Sequence, residues 1–188
     1  MPYPFCTIGH GTRPIGEFVE LLQGAQVTFV ADVRTVPRSR TNPQYNREVL
    51  PQALEQHRIA YEHIAALGGL RGKTRDVPAR VNAFWQNASF HNYADYAMSD
   101  NFRDGLARLR GLGHAQRCVI MCAETLWWRC HRRIIADYLI GAGESVLHIL
   151  RPGHVVPARM TEAAQPYAAG ILVYPADPLR LPQTAGAQ

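Results

Sequence analysis

Short apolar runs recur along this chain, each stopped by glycine or charged residues, and between several of them apolar side chains fall at helical spacing. Residues 5–8 form the first run, ended by Gly9-His10-Gly11-Thr12. The spacing over 14–22 predicts a helix, with Pro14 near its first turn and Thr12 as N-cap. Residues 27–33 are almost continuously apolar, as expected of a strand buried on both faces. A basic loop with Pro37 and Pro43 follows over 34–45, then a helix over 46–57 whose start Pro51 complicates. Residues 59–64 read as a third strand, running into Leu67-Gly68-Gly69-Leu70-Arg71-Gly72. The polar, poorly periodic stretch 71–89 reads as a loop. A helix is predicted over 92–112 with a break near Ser99, then a buried strand at Cys118–Cys122, a helix over 128–140 closed by Gly141 and Gly143, and a strand over 145–150. Beyond Met160 the chain is rich in Ala, Pro and Gln; its Ile171-Leu172-Val173-Tyr174 run predicts an added strand before a frayed end.

Strands alternating with helices predict an α/β fold: a single three-layer domain over 1–160 with a largely parallel central sheet, Rossmann-like or doubly wound, and a partly irregular C-terminal extension over 161–188. Such sheets bind ligands at the carboxyl ends of their strands. At 188 residues and 47% hydrophobic, the chain has enough apolar mass for one core, and 19% charged residues argue against a disordered or fibrous chain. No apolar run nears the roughly 20 residues that cross a bilayer. The first residues, MPYPFCTIGHGT, lack a signal peptide's charged and apolar regions, so a cytoplasmic protein without membrane contact is expected. The net charge is +5, and every cation but Lys73 is arginine. A GC-rich genome produces that bias without a functional cause; guanidinium forks also suit phosphate and carboxylate better than ammonium does.

Each predicted strand ends in polar residues. The first gives Gly9 and His10, the second Asp32 and Arg34 with Ser39 and Arg40 beyond, and the third Gly68 and Gly69, with Tyr61 inside it. The fourth gives Cys122 and Glu124, and its helix opens with Cys130, His131 and Arg132. The last gives His148, then Arg151 and His154. Cys122, ending a strand before a helix N-terminus, is in a field that favours an anion and lowers a thiol pKa. It is the candidate nucleophile, with a packed strand-end cysteine as the alternative. Rhodanese-like and cysteine-phosphatase sites share this topology, but phosphatases place Arg six residues after the Cys. Here Trp128 stands in that place and Arg129 follows. Glu124 reads as a general acid/base or ribose ligand, or else as a helix cap or Arg132 partner. His131 or His10 is a candidate base. Asp32 and Arg34 are assigned to opposite faces of the strand end and expected not to pair directly; Asp32 should have a specific partner, and Arg34 or Arg40 reads as a phosphate clamp or as part of a structural salt-bridge network. Cys-x7-Cys-His is not a usual structural-zinc spacing, and adjacent Cys130 and His131 on a helix would point about 100° apart, so no metal is expected. Cys6 and Cys118 read as small buried hydrophobes. The Trp127-Trp128 pair reads as a helix-opening staple into the core rather than a base-stacking platform.

Four stretches carry a family resemblance: GHGT after the first strand, ADVRTVPRSR after the second, YEHIAALGG, and CAETLWWRCHRRIIADYL. Together they resemble the domain-of-unknown-function 488 family (DUF488), over about residues 5–150. The Cys-Ala-Glu segment followed by Cys-His-Arg at fixed spacing is the specific part. Family members commonly carry a proline between the two cysteine motifs, where this chain has Leu126-Trp127-Trp128. The resemblance implies a compact α/β domain with a polar site at these positions and no particular reaction.

Two functions follow. The favoured one is a small enzyme or ligand-binding domain for a small anionic, phosphorylated or nucleotide-like molecule, with Cys122, Glu124 and Arg132 lining one pocket; its cofactor is unknown. The other is a nucleic-acid-binding module without catalysis. It would use the arginines of segment 34–80 to track phosphates, and Tyr45, Phe84 and Trp85 to stack on bases.

Overall fold

A computed structural model describes residues 3–168 and 170–177. Strands Phe5–Gly9 (β1), Phe29–Asp32 (β2), Ala60–His63 (β3), Cys118–Cys122 (β4) and Val146–Arg151 (β5) lie parallel, with His154–Pro157 (β6) antiparallel at one edge. Their order is β3-β2-β4-β1-β5-β6. This is the expected α/β domain with a largely parallel sheet. β6 was not anticipated: Arg151-Pro152-Gly153-His154 makes a tight hairpin turn, with Gly153 at φ +67°. Arg151 and His154, grouped above with the strand-end site, are therefore exposed hairpin residues.

Period-2 alternation divides the core between two faces. Val30, Val119 and Met121 pack with Ile8 against the helices Ile15–Gly24 (α1) and Leu50–Glu55 (α2). Phe29, Ala31, Ile120 and Cys122 pack on the other face, under Ala88–Ala97 (α3), Asp100–Ala115 (α4) and Arg132–Gly141 (α5). Helix starts follow local chemistry. Ser99 caps α4 by accepting from the Phe102 N–H, which is the expected break. Pro51 sits in the first turn of α2, where its missing N–H costs nothing, so that helix starts later than the periodicity suggests. Thr12 does not cap α1. The Arg13 N–H closes a turn onto His10, and Pro14 takes the N-cap position without a side-chain bond.

The Ile171-Leu172-Val173 run does form a strand, Ile171–Val173 (β8), but it pairs with Gln165–Ala168 (β7) in a separate two-stranded sheet. This hairpin joins the domain through Tyr174, fully buried, whose hydroxyl donates to Asp137 of α5 at 3.0 Å. The end expected to fray lies outside the described residues. No helix among the described residues is long and apolar enough to cross a membrane.

The topology singles out one place. β4 lies between β1 and β2, which lead into helices on one face, while β4 leads into α5 on the other. Connections leaving adjacent parallel strands toward opposite faces open a crevice at their carboxyl ends. Cys122 closes β4 there, in register with Gly9.

Candidate functional site

The polar residues of the strand ends separate into two clusters, because the sheet's alternation sends them to different faces. On the α1 face, Asp32 and Arg34 pair directly at 2.6 Å, contrary to the expectation that they stand apart. Residues two apart on a strand share a face, and Arg34 folds back over the strand end. The Asp32 carboxylate accepts from the Arg34 backbone N–H, from Nε and Nη2 of Arg34, and from the Tyr61 hydroxyl. Arg34 also donates to the Tyr45 carbonyl, and its Nη1 lies 3.3 Å from His10 Nε2. His10 is buried and stacked on Tyr45 at 4.0 Å, with Nδ1–H donating to the Gly11 carbonyl. Burial pushes its pKa down to about 4, so the ring is neutral near pH 7 and accepts from Arg34.

On the α5 face the sulfurs gather. Cys122 ends β4, Cys130 follows a short 3-10 turn at Trp127–Arg129, and His131 is the N-cap of α5. Cys130 has extended backbone (φ −124°, ψ 145°) and is not helical. Cys130 and His131 therefore do not share a continuous helix, and their side chains converge where a helix would make them diverge. His131 Nε2–H donates to the Val33 carbonyl at 2.9 Å, which leaves Nδ1 unprotonated in the neutral ring. Nδ1 lies 3.6 Å from the Cys130 sulfur and 3.9 Å from that of Cys122. Arg132, buried behind the group, donates Nε–H to the Cys130 sulfur at 3.2 Å and binds the Glu124 carbonyl.

These contacts separate the two thiols. Burial by itself would raise Cys130. A hydrogen bond from the Cys122 thiol, the Arg132 charge and His131 together outweigh that and hold Cys130 well below the ordinary thiol value. Cys122 moves the opposite way, through its hydrogen bond to Cys130 and then through burial. Of the pair, Cys130 is the sulfur whose surroundings favour the thiolate more, because Arg132 donates to it and it adjoins the N-terminus of α5.

Two glycines make room for this arrangement. A Cβ on Gly9 would stand 2.0 Å from the Glu124 carbonyl oxygen, and one on Gly69 would stand 2.4 Å from His131 Nδ1. Gly68 packs closely on Thr35 in the same way. The strand-end glycines thus admit the protein's own backbone and imidazole. The His10 and Gly11 N–H groups are likewise engaged, by the Cys122 and Ala123 carbonyls.

An open cleft of about 300 Å³ lies over the sulfurs. Cys122, Cys130 and His131 form its floor, Glu124 and Arg129 its polar rim, and Val36, Leu70 and Phe90 its apolar walls. Val36 and Leu70 are 60% and 74% exposed. Glu124 accepts from the Leu126 N–H and does not pair its carboxylate with Arg132. Arg132 backs the floor instead of lining the cleft, which corrects the expectation that Cys122, Glu124 and Arg132 share one pocket wall. The Arg129 guanidinium is exposed and has no hydrogen-bond or ion-pair partner among the described residues. A second cavity of about 350 Å³, lined by His10, Thr12, Arg38, Ser39 and Asn42, adjoins the first through Arg34, Val36 and Ala123. Ser39 also accepts from the Asn42 N–H, shaping that loop. Arg40 is exposed and lines neither cavity.

Sequence reasoning missed the cleft walls. Val36 and Leu70 come from two loops and Phe90 from the first turn of α3, and nothing in periodicity marks residues of separate segments that meet in space. Trp127 stacks inward on His148 at 4.3 Å, as a staple would, while Trp128 stays 47% exposed.

Fold and site together define an α/β domain with a sulfur–imidazole cluster at the switch point of its sheet. The chain belongs to the family described as Domain of unknown function DUF488, whose sequence pattern matches residues 14–139. That span takes in Cys122, Glu124, Cys130, His131 and Arg132, and leaves out the turn at Gly9–Thr12 and strand β5. No curated protein and no solved structure matches the chain.

Proposed function

We propose that this protein binds a small phosphorylated or nucleotide-like anion in the cleft over Cys122, Cys130 and His131, and acts on it with that cluster. The observation that carries the reading is an exposed guanidinium at Arg129, without a partner among the described residues, in one cleft with apolar walls and a floor of two sulfurs and an imidazole. The anionic group would sit on Arg129, a natural phosphate fork, and the remainder of the molecule between Val36, Leu70 and Phe90. Arg34 is not the clamp, since its guanidinium is held by Asp32 and the Tyr45 carbonyl.

The nucleic-acid alternative is less well supported. Tyr45 and Trp85, needed as stacking platforms, are buried, and Arg71 lies over the Tyr96 ring while holding the Gly68 and Ala65 carbonyls.

A thermal-shift screen of wild type and Arg129→Ala against phosphate, sugar phosphates, nucleotides and short oligonucleotides tests the reading. A ligand that binds only the folded state raises Tm by mass action. A phosphorylated compound should stabilise wild type and not the variant. A shift with oligonucleotides alone, abolished by salt, would overturn it in favour of the nucleic-acid reading.

A further inference from the structure

We propose that Cys122, Cys130 and His131 form a three-ligand Zn²⁺ site whose fourth position opens into the cleft. The donor atoms, two sulfurs and His131 Nδ1, all lie within 4.8 Å of one another. Tetrahedral zinc with Zn–S of about 2.3 Å and Zn–N of about 2.0–2.1 Å requires S···N separations of ~3.6 Å and S···S of ~3.8 Å. The chain holds its S···N distances at 3.6 and 3.9 Å and its sulfurs within 4.8 Å of each other, so an ion enters once the sulfurs close by no more than about 1 Å.

The surroundings are those a metal ligand needs. A ligating histidine donates its other ring N–H to a carbonyl or carboxylate, which fixes the tautomer and aims the lone pair. His131 does this through Nε2 to Val33, leaving Nδ1 facing the sulfurs. The Cys130 sulfur is steadied by the Arg132 Nε–H, and Arg132 is held in turn by the Glu124 carbonyl. Gly69 leaves the space in which the imidazole lies.

Donor type and charge select the ion. Two thiolates and one imidazole suit zinc over magnesium, calcium or manganese, which prefer oxygen. The thiols release their protons to solvent on binding. Two thiolates balance the ion's charge, and the buried Arg132 guanidinium beside them leaves the centre net positive toward an anion arriving from the cleft. Three protein ligands with an open fourth position is the arrangement of catalytic rather than structural zinc. Only the identity of that fourth ligand, an oxygen of the phosphorylated anion, rests on the function proposed above.

Cobalt reports the site directly. The full chain, purified under reducing conditions and freed of metal with a chelator, is titrated with Co²⁺. One equivalent should bind, with thiolate-to-cobalt charge-transfer absorption and the intense visible bands of tetrahedral coordination, and Zn²⁺ should displace it. Cys122→Ser and Cys130→Ser should each weaken the charge-transfer band, and His131→Ala should shift the visible bands, with circular dichroism showing all three folded. Arg129→Ala should bind cobalt as wild type does. Absence of tight cobalt and zinc binding by wild type, or a charge-transfer band that survives in the Cys122→Ser/Cys130→Ser variant, overturns the site. Adding inorganic phosphate to the cobalt form then separates the two proposals. A change in the visible bands places the anion on the metal. Unchanged bands overturn the anion as fourth ligand and leave the metal site standing. A phosphate-dependent Tm shift in a chain that binds no metal does the reverse.

Discussion

The Asp32–Arg34 pair decides whether the second strand end is scaffold or ligand clamp, and its energetics are open to measurement. Asp32 is fully buried and Arg34 is 5% exposed. Nε, both N–H groups of Nη2 and one of Nη1 on Arg34 have partners in Asp32, Tyr45 and His10, so four of its roughly five donors are engaged. Asp32→Asn removes the compensating charge and leaves a buried guanidinium facing a carbonyl and a neutral imidazole. Breaking a buried pair from one side costs about 3–5 kcal/mol. Arg34→Met leaves a buried carboxylate with the Tyr61 hydroxyl and should cost a similar amount. The double variant leaves neither charge unpaired, so its loss should fall short of the sum of the singles by about 2 kcal/mol, within the usual range for residues in contact. Urea unfolding of the four proteins, fitted with a common m-value, gives the cycle. If the losses add to within about 0.5 kcal/mol, the two residues do not act as a unit and Arg34 returns as a phosphate ligand.

Three other outcomes follow from the structure. Gly69→Ala places a Cβ against the His131 ring, so it should displace the imidazole and weaken cobalt binding at least tenfold while melting within a few degrees of wild type, whereas unaltered cobalt affinity would refute the close approach. Two buried groups give opposite pH dependences in the acid range. Burial raises Asp137 from 3.8 to about 6, so its contribution to stability is present below about pH 4 and lost as pH rises through 6. Burial, followed by the Arg132 charge, lowers His148 from 6.5 to about 4, so its contribution is present above pH 6.5 and lost as pH falls through 4. Each amounts to about 3 kcal/mol. From pH 4 to 7, Asp137→Asn should therefore gain on wild type and His148→Gln should lose ground to it; pH-independent differences in chemical denaturation would count against both. Thiol labelling of the metal-free protein should reach the cleft sulfurs first. Cys6, raised to about 11 by burial, and Cys118, raised to about 12, should react only on unfolding, and mass-spectrometric mapping that finds either labelled early would refute this order.

The sequence by itself determined the alternation of strands and helices, the parallel sheet and most element positions. Those are local properties: a continuous apolar run such as Cys118–Cys122 is a buried strand in almost any context, and Ser99 announces a helix start through its own side chain. The same local reading marked the strand-end residues, because a parallel sheet presents one edge to ligands. Only the tertiary structure decided how those residues divide. One face of the sheet ties Asp32, Arg34, Tyr61 and His10 into a buried scaffold, and the other gathers two sulfurs and an imidazole under a cleft. The physical reason lies in backbone geometry at single residues. Cys130 is extended and His131 caps the helix, so adjacent side chains that a continuous helix would separate by about 100° meet instead. A glycine on a distant loop, Gly69, leaves the space they share, and the walls above come from two loops and the first turn of α3, which no pattern along the chain connects.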